Sequence, residues 1–295
     1  MHYLVTGGTG FIGTALIEAL REEGHAATVL TRQALPDRSD CRYVRDLDEI
    51  DRGKQFDGVI NLAGASLAGA RWTERYKREL VASRVDTTRA LVQLFKRLEH
   101  TPPVLLSGSA IGYYGHHGDE MLAEDGAVVP GFAQRLCQDW EDAALEAEPL
   151  GTRVCRLRLG VVLDSGGGAL SDMARPFHLG VANWLGDGRQ WLSWVHRRDV
   201  VAAMGHLLEH PGLSGPFNIT APEPVTSRGF CDAMKRHKRT FLTMPVPGPA
   251  MRLLVGEMAD ELLLNGQRVL PVALAAAGFE FAFPTLDEAL AEIYG

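Results

Sequence analysis

Three observations predict an α/β fold, a Rossmann-type doubly wound parallel sheet carrying a smaller C-terminal lobe. The chain starts with a short apolar run, His2-Tyr3-Leu4-Val5-Thr6, that passes through glycines spaced GxxGxxG (Gly7, Gly10, Gly13) into an amphipathic stretch. Apolar runs of strand length then alternate with helical periodicities as far as residue 159, the pattern of β-α-β units with crossovers of one hand. Beyond residue 164 the alternation breaks up among glycines and prolines. The reading is a dinucleotide-binding domain over residues 1–163 and a substrate lobe over 164–295, with strands near 190–195 and 216–219 returning to the main sheet.

Each element has a local reason. The first helix covers residues 11–23 and stops at Gly24, which suits the left-handed close of a helix. Residues 27–31 and 58–62 read as buried strands, 72–98 as a long helix, 103–107 as a strand, 132–147 as a helix and 152–159 as a further strand. A glycine-rich segment at 165–168, a loop-rich region to residue 188 and proline-rich stretches at 211–224 and 244–249 follow. No internal repeat is visible.

The glycines carry the first functional signal. Gly7 permits a sharp turn, Gly10 lets backbone N–H groups approach a diphosphate, and Gly13 lets the helix lie close to the strand. With Thr9, Phe11 and Ile12 they form a candidate phosphate cradle, because a helix N-terminus offers unpaired N–H groups and the positive end of its dipole. A plain structural turn also favours glycine. The order strand, glycines, helix favours the nucleotide.

Composition excludes several classes. The chain has 295 residues, 46% of them hydrophobic, enough to bury a full core. A net charge of −7 argues against a nucleic-acid surface, and the basic run at 235–239 reads as a solvated helix end. Cys41, Cys137, Cys155 and Cys231 are scattered without metal-ligand or disulfide spacing, which predicts no metal and a reducing, cytoplasmic setting. No apolar stretch approaches the roughly 18 to 20 residues of a membrane span, and the first residues read as a strand instead of a signal peptide.

The end of the second strand selects the cofactor. An acidic residue there would hold a ribose 2′-hydroxyl, whereas an arginine accommodates a 2′-phosphate. This strand ends Val29-Leu30-Thr31-Arg32 with no carboxylate before Asp37, so Arg32 points to NADP, the alternative being a plain surface arginine. Asp46 is placed either to meet the adenine or to cap a helix. Leu62, Ala63 and Gly64 follow Asn61, and the small residues among them let a ribose approach the backbone or pack strand against helix.

Several blocks together identify a family resemblance. The glycine turn, Asn61-Leu62-Ala63-Gly64, Ser107-Gly108-Ser109-Ala110-Ile111-Gly112-Tyr113-Tyr114-Gly115 and Trp194-Val195-His196 to Asp199 resemble the extended short-chain dehydrogenase/reductase superfamily. Arg71-Trp72-Thr73, Ser83-Arg84-Val85, Gly186-Asp187-Gly188-Arg189-Gln190-Trp191, Gly256-Glu257-Met258-Ala259 and Gly266-Gln267-Arg268-Val269-Leu270-Pro271 resemble its epimerase-like family with its own C-terminal domain. That family is described as sugar-nucleotide epimerase or cell-division inhibitor in type. The resemblance implies 2′-phosphate contacts at Thr31 and Arg32, ribose contacts at Leu62 and Ala63, further cofactor contacts at Glu79 and Arg84, and a nicotinamide contact at Val161. Glu79 and Arg84, five residues apart, do not share one helical stripe and are given separate roles.

The superfamily's YxxxK pair is missing. The helix where it belongs reads Gly131-Phe132-Ala133-Gln134-Arg135-Leu136-Cys137, so Phe132 or Ala133 takes the tyrosine position and Leu136 or Cys137 the lysine position. Ser109 remains to polarise a substrate oxygen, and Tyr113 or a water to move the proton; ring packing is the simpler role for Tyr113 and Tyr114. His196 and Asp199 resemble a loop-orienting junction, with Asp199 as helix N-cap. Residues 166–190, with Arg175, His178, Trp184, Arg189 and Trp191, are expected to roof the nicotinamide and to suit an anionic or planar ligand. A sugar-nucleotide epimerase of the familiar type is disfavoured, because that chemistry leans on the missing tyrosine, and two other functions follow. One is an NADP(H)-dependent oxidoreductase or epimerase-type enzyme acting on a small polar carbonyl or hydroxyl compound; the other is a catalytically silent NADP(H)-binding regulatory or redox-sensing protein.

Overall fold

The computed structural model describes residues 1–295. In the first half of the chain, β1 (His2–Thr6), α1 (Phe11–Glu22), β2 (Ala26–Leu30), β3 (Cys41–Val44), β4 (Gly58–Asn61), α2 (Glu74–Val81), α3 (Thr87–Arg97), β5 (Val104–Ala110), β6 (Met121–Leu122), α4 (Phe132–Leu145) and β7 (Arg153–Leu159) follow in order. The second half holds β8 (Val161–Leu163), α5 (Gly168–His178), β9 (Val181–Leu185), β10 (Trp191–Leu192), β11 (Trp194–His196), α6 (Arg197–Glu209), β12 (Gly215–Ile219), β13 (Val225–Thr226) and α7 (Ser227–His237). It closes with β14 (Leu242–Val246), α8 (Gly248–Val255), β15 (Arg268–Val269), α9 (Val272–Ala276) and α10 (Leu286–Tyr294).

Seven parallel strands form the central sheet in the order β12-β7-β5-β4-β1-β2-β3. Alternate residues feed opposite faces, as the two-residue period of a strand requires. Tyr3, Val5 and Leu106 pack with Leu16 and Leu20 of α1 and Met204 and Leu207 of α6. Leu4, Val59 and Leu105 pack on the other face with Leu91 and Phe95 of α3 and Ala144 of α4. A separate core around Trp194, Phe177, Phe230 and Leu290 supports the C-terminal lobe. No helix is long and apolar enough to cross a membrane.

Four sequence expectations change. The strand at 216–219 does join the main sheet, as its β12 edge, but 190–195 does not: Trp191–Leu192 pairs with β13, and Trp194–His196 pairs with β8. The region read as loop up to residue 188 contains α5 and β9, the latter paired in parallel with β14. The long helix at 72–98 begins after Thr73, whose hydroxyl caps it by accepting the Tyr76 N–H, and is interrupted by a π turn, Ala82–Asp86. Finally, β5 continues to Ala110 and buries Ser107 and Ser109 inside the sheet.

Candidate functional site

At the carboxyl end of β1 the backbone is held for close approach. Thr6 Oγ1 donates to Asn61 Oδ1 at 2.6 Å and accepts the Ala63 N–H at 3.1 Å, tying β1 to the turn after β4. Gly7 has φ +69°, and a Cβ there would sit 2.5 Å from the Leu62 carbonyl oxygen. A Cβ on Gly13 would overlap the Gly7 carbonyl, so any side chain would lever α1 off the strand. Gly10 caps α1 without a side-chain bond, which leaves the first N–H groups of the helix open to an anion. Thr9 Oγ1 stands 3.4 Å from Thr31 Oγ1, bringing the end of β2 to the cradle. Ile12 packs against the main core, while Phe11 supports the roof.

The glycine-rich segment expected as a roof meets the first turn of α1. Gly167 and Gly168 lie on the Phe11 ring, at positions where a Cβ would come within 2.8 and 2.6 Å of it. Arg197 fastens the arrangement, donating to the Phe11 carbonyl at 3.1 Å and to Asp164 at 2.6 Å. Arg175 instead points to solvent and pairs with Asp172 one turn away. Trp191 Nε1 donates to Asp119, and the Trp191 ring lies against Arg268. Trp184 packs against Arg228, and Arg189 walls a separate cavity of about 230 Å³ with His116 and Asp119.

Beside β2 and β3 lies a cavity of about 520 Å³, walled by Leu30, Arg45, Asp46, Leu47, Thr87 and Ala90 among others. Asp46 takes the capping role, its carboxylate accepting the Asp48 N–H in a reciprocal cap with Glu49, and it also lines this space. Arg32 is exposed at the neighbouring strand end. Across the sheet, Leu62, Ala63 and Gly64 pass over Arg84, with a Gly64 Cβ position 3.0 Å from the guanidinium carbon. Arg84 is buried by the π turn, donates to the Leu80 and Ala65 carbonyls, and meets no carboxylate; burial holds its pKa below the ordinary arginine value. Glu79 is exposed on α2 and unpaired with it, so the two have separate environments.

A buried charge network that the sequence did not reveal surrounds the end of β5. Arg158 grips Glu141 with two bonds, Nε to Oε1 at 2.8 Å and Nη2 to Oε2 at 3.0 Å. Arg156 adds a contact at 3.2 Å. Ser109 Oγ donates to Glu141 Oε1 at 2.8 Å, which corrects its expected role: the hydroxyl proton is committed to a carboxylate and the residue is 1% exposed. Tyr114 is also sealed in, donating to Asn218 Oδ1 and accepting from Arg158, and burial pushes its phenol pKa up. Tyr113 is different. Its ring rests on the Arg158 guanidinium at 3.5 Å, it is half-buried, and its hydroxyl has no protein partner.

On α4 the tyrosine and lysine positions that approach the Ile111–Tyr114 turn are Ala133 and Cys137, both close to Gly112. Burial raises the Cys137 thiol to about 12, so it moves no proton near neutrality. Val161 donates its N–H to the Ser193 carbonyl at 2.9 Å, which removes that group from ligand contact. His196, not Asp199, caps α6, accepting the Arg198 N–H at Nδ1. Asp199 instead accepts the N–H groups of Ala282 and Phe283, anchoring the segment before α10. No group of three or more His, Cys, Asp or Glu residues is arranged to hold a metal ion. The sequence did carry a trace of the missed network: Arg158 is a charge in a strand expected to be buried on both faces.

Comparison with known proteins agrees with this architecture. Residues 3–220 match the NAD dependent epimerase/dehydratase family, and residues 246–293 match a domain of unknown function, DUF1731. An epimerase family protein of Mycobacterium bovis is 38% identical over 288 residues, covering 97% of this chain and 95% of that protein. One from Staphylococcus aureus is 37% identical over 297 residues, covering 99% and 98%. The crystal structure of human epimerase family protein SDR39U1 (isoform 2) with NADPH superposes with a TM-score of 0.90 at 32% identity, covering 100% of this chain and 99% of that one.

Proposed function

Because the chain belongs to the NAD-dependent epimerase/dehydratase family of extended short-chain dehydrogenases/reductases, we propose that it binds NADP(H) and acts as an oxidoreductase or epimerase-type enzyme on a small polar carbonyl or hydroxyl compound. The observation that carries this reading is the end of β2, where Thr31 and Arg32 stand with no carboxylate to claim a 2′-hydroxyl, beside an uncapped α1 N-terminus. The human relative, solved with NADPH, supports it. The residues fit the dinucleotide: the open N–H groups after Gly10 suit a diphosphate, and the cavity beside Asp46 has the size for an adenosine. Gly7, Thr9, Gly10, Phe11, Ile12 and Gly13 would hold the diphosphate, Thr31 and Arg32 the 2′-phosphate, and Leu62, Ala63 and Gly64 the ribose. Arg84 supports that turn from below, and Val161 and Glu79 would border the site. Four free, buried cysteines support a reducing, cytoplasmic setting.

When bound, the nicotinamide supplies or accepts hydride. The chain's own contribution centres on Tyr113. Its unpartnered hydroxyl donates to, or accepts from, the substrate oxygen, and Arg158 fixes the ring from beneath. Ser109 acts through Glu141, locking the end of β5 that carries the Tyr113 turn. Binding of NADPH and NADH by calorimetry, followed by a carbonyl panel, tests the reading. NADPH is expected to bind at least about tenfold tighter, with Tyr113→Phe lowering kcat and leaving NADPH affinity unchanged. A preference for NADH would overturn it.

A second reading, a redox-sensing NADP(H)-binding protein, is favoured by Ala133 and Cys137 at the positions of the missing pair. Tight NADPH binding with no turnover across the panel, and a protein partner whose affinity follows the cofactor's redox state, would decide for it.

A further inference from the structure

Arg45 stands beside Arg32 at the carboxyl rim of the sheet. Strands β2 and β3 run parallel with Leu30 opposite Val44, and Thr31 donates its N–H to the Val44 carbonyl at 2.9 Å. Thr31 and Arg45 therefore occupy the next matched positions, and Arg32 follows at once. Adjacent strands lie about 4.8 Å apart, so both long side chains start from one short stretch of rim. Arg45 also walls the 520 Å³ cavity.

Its guanidinium is uncommitted. Arg45 is exposed and uses only its backbone N–H, donated to Glu49 Oε1. The surrounding carboxylates are engaged elsewhere: Asp46 and Glu49 cap the turn Leu47–Glu49, Asp48 pairs with Arg97 at 2.6 Å, and Asp37 accepts the Tyr43 N–H. Arg32 likewise has no ion-pair partner. Two guanidiniums without ion-pair partners therefore start from adjacent strand ends, Arg45 beside a cavity of adenosine size that Asp46 and Asp48 also wall.

We propose that Arg45 joins Arg32 in gripping the 2′-phosphate of bound NADP(H), which makes it a residue that sets specificity for the phosphorylated cofactor. The inference rests on the NADP(H) reading. A phosphate monoester presents three terminal oxygens and nearly two charges, more than one arginine fork can satisfy. Arg32 from β2 and Arg45 from β3 take different oxygens.

Fluorescence titration of the full chain with NADPH and NADH tests the assignment in the wild type, Arg45→Gln, Arg45→Lys and Arg32→Gln. Arg45→Gln is expected to weaken NADPH about tenfold while NADH stays within about twofold, and Arg45→Lys to recover part of the loss. Added salt should erode NADPH affinity more steeply in the wild type than in Arg45→Gln. Unchanged NADPH affinity in Arg45→Gln would overturn the proposal, and so would equal losses for both cofactors, the mark of stacking on the adenine. A wild type that fails to bind NADPH would instead remove the functional reading beneath it.

Discussion

Glu141 and Arg158 show what one buried pair asks of its neighbours. Both side chains are at most 2% exposed, and desolvating them costs several kcal/mol each unless every oxygen and N–H finds a partner. Ser109, Tyr114 and Arg156 supply those partners, which is why a serine that the sequence assigns to substrate is turned inward. Serine identity and position were legible. The direction of its hydroxyl was not, because it depends on a carboxylate 32 residues later on another element. His196 is a second residue whose environment has a measurable consequence. Its ring lies buried against Phe283 at 4.1 Å with Nε2 unpartnered, and burial lowers its pKa from the ordinary 6.5. The unfolded chain then takes up a proton before the folded one. Stability is full above the unfolded value and falls as pH drops through it toward the folded value. The urea midpoint should therefore decline from about pH 7.5 to about pH 5.5, with His2, also lowered by burial, adding in the same direction. His196→Asn keeps an N-cap acceptor and removes the titration, so its decline should be shallower; an identical slope would refute the assignment.

Among the elements, the π turn Ala82–Asp86 buries Arg84 and Val85 in mid-helix. A π turn amounts to one residue inserted into an α-helix, often at a functional position. Here it carries Arg84 inward beneath Gly64 while α2 and α3 keep their own apolar faces, Leu80 on one and Leu91 and Phe95 on the other. Deleting the exposed Ala82 should restore α-helical winding and rotate the preceding segment by about 100° relative to the following one. The expected result is loss of NADPH binding by more than about tenfold with the far-UV helical signal retained; unaltered affinity would show that Arg84 does not support the turn. The helix itself was legible at 72–98 because its period of 3.6 persists on both sides. Its interruption was not, since a single added residue leaves both apolar stripes intact. The strands at 190–195 illustrate the same limit: an apolar run marks a strand without naming its partner, and Trp194–His196 found Val161–Leu163 instead of the main sheet.

For the whole molecule, the glycine turn, the strand alternation, the return of 216–219 to the main sheet and the basic end of α7 were visible in the sequence, whereas the packing of α9 was not. Strand β12 closes the main sheet from beyond residue 163, as expected, and Leu274 of α9 packs into the core that contains Tyr3, Val5 and Phe217. Patterning reports local periodicity; which late segment returns to an early core is decided by packing. A fragment of residues 1–163 would expose the β7 edge and the faces covered by α6 and α9, and it should fail to give a cooperative thermal transition, while the full chain unfolds with its two cores coupled. A sharp transition in the fragment would contradict this. The Arg197 bridge makes that coupling concrete. One guanidinium rivets the opening turn of α1 to the segment entering α5, and the Phe11 ring under Gly167 and Gly168 adds a second contact, so strain applied to either is delivered mechanically to the other, and a disturbance at the glycine turn reaches the distal lobe along that seam.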